Sequence, residues 1–301
     1  MKNKVFEGVA TALITPFTET GVDYGAFERL VEWQVASGAV ALVVAGTTGE
    51  APTLTDREWE ELCRVALGTS DGRAKIIIGC GSNSTSSAVK RVKLARSLGA
   101  DAALAVTPYY NKASKEGLVG HYRALCGAAD IPVIAYNVPS RTGVDLGVET
   151  LESLVGIENF AGIKEATGSV ARSACLLSKF GDELPVYSGS DEVNFPILSI
   201  GGSGMISVLS NVFPAECVGL WNAASSGDIP TARAYSAGFY PLVAALFSEV
   251  NPIPVKTVMA RLGYCDEIFR LPLCAMENGK REKLFREYEA AKSGSQKILH
   301  K

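Results

Sequence analysis

Residues 159–169 read NFAGIKEATGS, a short apolar run that ends on Lys164 and then turns into a polar segment. A continuous run of this length predicts a strand that is buried on both faces, as in a parallel sheet. Seven more runs of this kind occur along the chain. In order, the eight runs are GVATALI (8–14), ALVVAG (41–46), KIIIG (75–79), AALAV (102–106), PVIAY (132–136), FAGIK (160–164), PVYSG (185–189) and GMISV (204–208).

Amphipathic segments such as DYGAFERLVEWQVASG and SSAVKRVKLARSLG lie between the runs and predict helices by their three- and four-residue spacing. Eight alternating β-α units favour a closed (β/α)₈ barrel over an open doubly wound sheet. We therefore predict an α/β fold with the barrel in residues 1–225. A helical extension in residues 226–301, interrupted at NPIPVK and RLPLC, is expected to pack on the barrel.

Bulk composition excludes several classes of protein. The 301 residues are 47% hydrophobic and 20% charged, with a net charge of -3, which offers no basic field for nucleic acid. No apolar run is long enough to span a membrane. The seven cysteines are scattered without metal-like spacing, and the only histidines are His121 and His300. We expect a cytoplasmic protein with reduced core cysteines and no metal.

Chemistry-bearing residues gather where the predicted strands end, which is where barrels of this kind build their active sites. The segments there are GTTGE, TPYYNK, NVPSRTG, Lys164 itself and GSDE. A lysine at a strand end is either a solvated surface charge or a functional residue of the site. As a nucleophile toward a ketone it needs a neutral amine, and an apolar strand end supplies the necessary desolvation.

Each remaining candidate also has a plainer interpretation. The paired threonines of GTTGE could cradle a carboxylate or merely form a glycine-rich turn. Arg141 could bind a carboxylate through two parallel hydrogen bonds or be a solvated loop charge. Tyr110 could donate a proton, or pack beside Tyr109.

The motifs GTTGE, TPYYN, YNVPSRTG, GIKEATG and GMISV, in this order and together with NPIPVK and RLPLC, resemble those of the dihydrodipicolinate synthase and N-acetylneuraminate lyase family. The resemblance covers nearly the whole chain. It implies that Lys164 forms a Schiff base with pyruvate, and that Tyr136, Thr47 and Tyr110 relay protons. In that family the tyrosine that matches Tyr110 comes from a neighbouring subunit.

The same resemblance assigns substrate contacts. Thr48 and nearby backbone would hold the pyruvate carboxylate, Gly189 and Ile206 would border the pocket, and Arg141 would bind the carboxylate of L-aspartate 4-semialdehyde. Lys164 would take the place of a cofactor. A homo-oligomer is implied, a dimer at least and a tetramer by family likeness.

Family members inhibited by L-lysine bind it in a polar pocket between subunits, which Asn83 and Tyr109 match here. Ser87 stands where a glutamate would bind the ammonium, and Asp56 and Trp59 replace histidines. We therefore expect weak or absent lysine inhibition. Ser190 replaces a common acidic residue beside Gly189, and nothing in the sequence explains its effect.

Three alternatives remain open at this point. The nearest is a related pyruvate-dependent aldolase that acts on sialic acid or a 2-keto-3-deoxy sugar acid, which has less need of Arg141. A non-catalytic barrel that binds a keto acid is the second. A phosphate-binding isomerase barrel is the third. Such a barrel predicts glycine-rich loops after the seventh and eighth strands, and the segments SGS and LSN found there match that pattern poorly.

Overall fold

A computed structural model describes residues 4–299, without the side chains of residues 296–299, so that His300 and the last residue of the predicted extension lie outside it. The strands are β1 (Gly8–Ala12), β2 (Phe17–Thr18), β3 (Gly21–Val22), β4 (Ala41–Val44), β5 (Lys75–Gly79), β6 (Ala102–Val106), β7 (Val133–Asn137), β8 (Phe160–Glu165), β9 (Val186–Ser188) and β10 (Gly204–Ser207).

Eight of these strands close a parallel barrel in the order β1-β10-β9-β8-β7-β6-β5-β4, with β4 pairing back to β1. Each predicted apolar run overlaps one barrel strand, with β7 and β8 ending one residue beyond their runs, and the closed barrel confirms the predicted (β/α)₈ fold. The remaining pair, β2 and β3, forms a small antiparallel hairpin that the sequence analysis missed. Strands of two residues are too short to show a periodic pattern.

Helices alternate with the barrel strands and then continue beyond them. They are α1 (Tyr24–Ala36), α2 (Asp56–Ser70), α3 (Thr85–Leu98), α4 (Lys115–Cys126), α5 (Pro139–Thr142), α6 (Val148–Glu152), α7 (Val170–Phe180), α8 (Asn194–Ser199), α9 (Pro214–Ser226), α10 (Ile229–Leu246), α11 (Ile253–Arg261) and α12 (Asn278–Leu299). Short 3₁₀ turns cover Ala51–Thr53, Gly181–Glu183, Asp191–Val193 and Leu209–Asn211.

Local sequence sets where several helices begin. Thr55 and Glu58 form a reciprocal capping box at the start of α2. The side chains of Ser84 and Ser114 accept hydrogen bonds from the first turns of α3 and α4. Such caps satisfy backbone N–H groups that have no partner within the helix. The loops that carry the site therefore run into helices with fixed starting points.

The C-terminal helices share a hydrophobic core with the barrel. Val9 of β1 and Met205 of β10 are buried in one cluster with Leu242 of α10 and Leu284 of α12. A separate cluster fills the barrel interior, where Phe6 stacks on Tyr187 with ring centroids 4.4 Å apart. The domain boundary between residues 225 and 226 stays a prediction; α9 ends beside it, at Ser226.

All seven cysteines lie in the described part of the chain and are free. The expectation that all are core residues was wrong for Cys175 and Cys274, which are exposed. Cys175 lies on α7, whose buried positions are Ser173 and Leu176. Within residues 4–299, none of the helices combines the length and apolar character that crossing a bilayer requires.

Candidate active site

Lys164 and Tyr136 are neighbours on two adjacent strands at the carboxyl end of the barrel. They are register partners in the parallel pairing of β7 with β8. The Nζ atom of Lys164 lies 4.4 Å from the centroid of the Tyr136 ring. Both side chains are buried, and Lys164 is only 6% exposed. The structure thus brings these two predicted site residues together.

Burial changes the chemistry of the Lys164 amine. It lowers the pKa of Lys164 to about 8, because the ammonium ion is poorly solvated inside the barrel; the Asp191 carboxylate opposes this shift, and the Arg141 charge adds to it. At pH 7 roughly a tenth of such amines are neutral, against about one in a few thousand for an ordinary lysine. A neutral amine is the form that attacks a carbonyl carbon.

Thr47 connects the GTTGE loop to Tyr136. Burial raises the pKa of the Tyr136 phenol, whereas the charge of Arg141 and a side-chain hydrogen bond with Thr47 lower it. Thr47 lies in the loop after β4, where its carbonyl oxygen accepts a hydrogen bond from the Glu50 amide at 3.1 Å. An amine, a phenol and a hydroxyl group therefore form one contiguous cluster, which is suited to moving protons.

Gly189 leaves room for the lysine side chain. A Cβ atom at this position would lie 2.9 Å from both Cγ and Cε of Lys164 and 2.8 Å from the Cβ atom of Ala166. Its amide donates to the Glu165 carbonyl at 2.8 Å, which holds the loop after β9 against β8. Ile206 is buried in the same interior cluster as Tyr136.

A cavity of about 320 Å³ opens above this cluster. Thr47, Tyr136 and Arg141 line it, together with Tyr109 and residues of the C-terminal segments. Lys164 does not line the cavity itself and lies beside Tyr136, which does. Among residues 4–299, no group of three or more His, Cys, Asp or Glu side chains is arranged to hold a metal ion.

The two predicted carboxylate-binding residues share a partner, Asn251. The Thr48 hydroxyl is buried and accepts a hydrogen bond from the Asn251 side-chain amide at 3.0 Å. A hydroxyl that accepts one bond can still donate another. The Nη2 atom of Arg141 donates to the Asn251 carbonyl at 3.1 Å, which fixes the exposed guanidinium at the cavity rim.

Tyr110 is not part of the cluster formed by this single chain. It is 89% exposed and adopts a φ of 73°, which turns the backbone sharply after Tyr109. Tyr109 is partly exposed and lines the cavity. Asn83 lies nearby, where its carbonyl oxygen accepts from the Asn111 side chain at 2.9 Å.

Three residues differ from those of family members that L-lysine inhibits, and they differ from one another in burial. The Asp56 side chain is fully exposed and lies 4.0 Å from Arg91. Trp59 is buried, and its indole N–H donates to the Gly79 carbonyl at 3.0 Å. Ser87 is exposed on the first turn of α3.

Sequence reasoning missed the contribution of the C-terminal segments to the site. Asn251 and Pro252 of NPIPVK, and Pro272 and Leu273 of RLPLC, line the cavity. Both segments contribute to the family resemblance, but no role was predicted for their residues. Two proline-containing breaks between helices were the only signal that these loops return to the barrel mouth.

The fold and the site together define a class. This is a parallel (β/α)₈ barrel with a buried, partly deprotonated lysine beside a tyrosine at the carboxyl end of its strands. Residues 5–291 match the sequence profile of the dihydrodipicolinate synthetase family. The chain belongs to this family.

Individual relatives agree with this assignment. The chain is 46% identical over 270 residues to a 4-hydroxy-tetrahydrodipicolinate synthase of Exiguobacterium sibiricum, covering 89% of this chain and 92% of the relative. It is 42% identical over 280 residues to the synthase of Thermomicrobium roseum, covering 93% of each. The solved structure of the synthase from Methylacidiphilum fumariolicum SolV superposes with a TM-score of 0.96 at 40% identity, covering 98% of this chain and 99% of that one.

Proposed function

We propose that this chain is a 4-hydroxy-tetrahydrodipicolinate synthase, which condenses pyruvate with L-aspartate 4-semialdehyde on the route to diaminopimelate and lysine. The observation that carries the proposal is the buried Lys164 amine with its lowered pKa, 4.4 Å from the Tyr136 ring. Family membership and the names of the relatives support the choice of substrates.

The first stage of the reaction makes pyruvate an electron sink. The neutral Lys164 amine attacks the ketone carbon of pyruvate, and loss of water leaves an imine. Protonation of the imine nitrogen draws electrons from the adjacent methyl group, which then loses a proton to give an enamine. In this way Lys164 supplies the activation for which other enzymes use a bound cofactor.

The second stage forms the new carbon–carbon bond and frees the lysine. The enamine carbon attacks the aldehyde carbon of the semialdehyde, whose oxygen takes a proton and becomes a hydroxyl group. The amino group of the same substrate then attacks the imine carbon and displaces Lys164. Ring closure leaves the cyclic hydroxylated product, and one water has been released in total.

Proton transfers at each stage need a donor and acceptor within the site. Tyr136 is suited to this role because it contacts the lysine and shares a hydrogen bond with Thr47. Thr48 and the adjacent backbone N–H groups would hold the pyruvate carboxylate. Arg141, at the cavity rim, would bind the carboxylate of the semialdehyde through paired hydrogen bonds.

Tyr110 would complete the proton relay from a neighbouring subunit. Its phenol is almost fully exposed in the single chain, which leaves it free to enter the site of a second copy. The functional unit would then be at least a dimer, and family likeness favours a tetramer.

Trapping with borohydride tests the imine chemistry. Wild-type protein treated with pyruvate and borohydride should gain the mass of one reduced pyruvate adduct per chain, located on Lys164 by peptide mapping. Lys164→Ala should gain none, whereas Lys75→Ala, which removes an exposed lysine paired with Asp101, should behave as wild type. Absence of an adduct in wild type would refute the proposal.

A coupled assay tests the second substrate. Purified protein should consume pyruvate with L-aspartate 4-semialdehyde much faster than it cleaves N-acetylneuraminate or a 2-keto-3-deoxy sugar acid. The opposite order of kcat/KM would assign the chain to the related aldolases. An adduct without turnover of any of these substrates would favour a keto-acid-binding barrel.

Mixed subunits test the role of Tyr110. Lys164→Ala and Tyr110→Phe chains should each be weakly active alone. If Tyr110 serves its neighbour, mixing them builds sites with an intact lysine from one chain and an intact tyrosine from the other, so activity rises. Activity equal to the average of the two parents would show that Tyr110 does not act on the neighbouring subunit, and full activity of Tyr110→Phe alone would place it outside the relay.

A further inference from the structure

A buried ion pair lies directly behind the threonine loop. The Nζ atom of Lys256, on α11, donates to Oε1 of Glu50 at 2.8 Å, and the two side chains are 0% and 1% exposed. The residues are 206 positions apart in the chain. Buried charges cost solvation free energy, so such a pair is weak evidence of a purely stabilising role. A role in fixing geometry is the alternative.

Glu50 controls the shape of the loop that carries Thr47 and Thr48. Its backbone φ is 54°, a left-handed conformation that is uncommon for residues with a side chain. Its amide donates to the Thr47 carbonyl at 3.1 Å, and its own carbonyl accepts from the Thr53 hydroxyl at 3.0 Å. Glu50 therefore closes the turn that presents both threonines.

A second cation and an aromatic ring surround the pair. The Phe17 ring of the β2–β3 hairpin lies 4.1 Å from Nζ of Lys256 and 4.3 Å from the Arg270 guanidinium carbon. Arg270 donates to the Thr53 carbonyl at 2.8 Å and pairs with Glu58 at the start of α2. Its backbone amide lies 3.5 Å from the second Glu50 oxygen.

These contacts attach one loop of the barrel to both C-terminal segments. Lys256 belongs to NPIPVK and Arg270 begins RLPLC, so the Glu50 carboxylate faces both. Asn251, from the first of these segments, bonds the Thr48 hydroxyl. The position of the threonines thus depends on the helices that follow the barrel.

We propose that Glu50 and Lys256 are positioning residues for the reaction, whose buried ion pair holds Thr47 against Tyr136 and Thr48 at the carboxylate-binding position. Glu50 borders the cavity, but its carboxylate is directed at Lys256. This inference rests on the proposed function. A misplacement of a reacting group by about 1 Å can lower the rate roughly 100-fold.

Removing both charges together separates positioning from stability. In Glu50→Gln/Lys256→Met no unpaired charge is left in the core, so the double variant should fold with a similar thermal midpoint. We expect the rate of imine formation with pyruvate to fall about 10- to 100-fold and the KM for pyruvate to rise. Borohydride trapping at saturating pyruvate counts the competent sites, so that unfolded protein does not count as lost activity.

Two further variants complete the test. Leu284→Ala truncates a buried residue of α12 in the C-terminal cluster, so it should lower the thermal midpoint and leave kcat and KM unchanged. Glu50→Gln alone keeps an acceptor for Lys256, so its loss of rate should be smaller than that of the double variant, about threefold to tenfold.

Wild-type kcat and KM in the folded double variant would overturn the positioning role. If the double variant does not fold, wild-type kinetic constants in Glu50→Gln would overturn it equally. These outcomes are distinct from failure of the proposed function, in which the wild-type chain itself would form no adduct on Lys164.

Discussion

Lys164 and Tyr136 face each other across the β7–β8 pairing, with the amine 4.4 Å from the ring centroid. This relationship follows from strand register, because register partners on one face of a parallel sheet keep their side chains adjacent. The ring helps to exclude water from the amine while its π face remains attractive to the protonated form. Burial affects the amine more than this attraction does, since the net result is a lowered pKa of Lys164.

Imine formation should therefore follow the titration of Lys164. Because its pKa is lowered to about 8 and only the neutral amine attacks, the rate with pyruvate should rise about tenfold per pH unit below that value and level off above it. The measurement is the rate of borohydride-trapped adduct between about pH 6 and pH 10. A rate that levels off only near the ordinary lysine pKa would contradict the burial argument.

Asp191→Asn provides a directional control for that profile. The Asp191 carboxylate raises the pKa of Lys164, so its removal should move the midpoint to lower pH. Asparagine keeps an oxygen to accept the hydrogen bonds that Val208 and Leu209 now donate to this carboxylate. A midpoint that moves to higher pH would show that Asp191 acts in another way.

Removing only the Tyr136 hydroxyl should slow the reaction without loosening the barrel. Tyr136→Phe keeps the ring beside Lys164 but deletes the group bonded to Thr47, and we expect kcat to fall about 100- to 1,000-fold. Tyr187→Phe is the matched control, since its hydroxyl donates to the Phe6 carbonyl within the barrel. That variant should lose about 1 kcal/mol of stability and keep its kcat.

A methyl group at position 189 should displace the lysine. In Gly189→Ala the new Cβ atom would lie 2.9 Å from two carbons of Lys164, so we expect at least about a tenfold loss of kcat. Overpacking should also lower the free energy of unfolding by about 1–3 kcal/mol. Gly120→Ala on α4, where a Cβ atom meets nothing within 4 Å, should leave kcat unchanged and be neutral or stabilising. Wild-type kinetics in Gly189→Ala would argue against a role for this close contact.

Arg141 should contribute more to binding of the semialdehyde than to the reaction with pyruvate. Losing a paired guanidinium–carboxylate contact of about 1.5–3 kcal/mol predicts a roughly 10- to 150-fold loss of kcat/KM for the semialdehyde in Arg141→Ala. Pyruvate trapping on Lys164 should slow less than this, because loss of the Arg141 charge affects it only by raising the pKa of Lys164. Arg141→Lys should recover only part of the loss, since lysine lacks the bidentate geometry. An Arg141→Ala enzyme that condenses both substrates normally would favour a different aldehyde substrate.

L-Lysine should inhibit this enzyme weakly or not at all. Ser87 has no carboxylate to bind the ammonium group of L-lysine. The Asp56 side chain is exposed to solvent, and the indole N–H of Trp59 already donates a hydrogen bond to the Gly79 carbonyl. An inhibition constant in the sub-millimolar range would contradict this prediction. Ser87→Glu restores the missing charge and should increase sensitivity to lysine, while Ser86→Glu on the same turn should not.

Much of the fold could be predicted from local patterns. Eight continuous apolar runs separated by amphipathic segments encode buried parallel strands and their covering helices, and each run overlaps a barrel strand. Barrel geometry then gathers the strand ends at one mouth, which is why the sequence alone predicts that Lys164, Tyr136 and Thr47 lie together. The β2–β3 hairpin was too short to produce a pattern.

Other features depend on contacts between distant parts of the chain. The bond between Asn251 and Thr48 joins residues 203 positions apart, and that between Lys256 and Glu50 spans 206. Sequence spacing carries no information about such pairs, because the packing of the C-terminal helices against the barrel decides which side chains meet.

The sequence by itself determined the strand order along the chain and the barrel, and it predicted which lysine would react. Only the tertiary structure decided that the amine is buried enough to be partly neutral, that Tyr110 is exposed, and that the last third of the chain supports the threonine loop. The physical reason is that periodicity reflects local burial preferences, whereas solvation of a charge depends on everything that surrounds it.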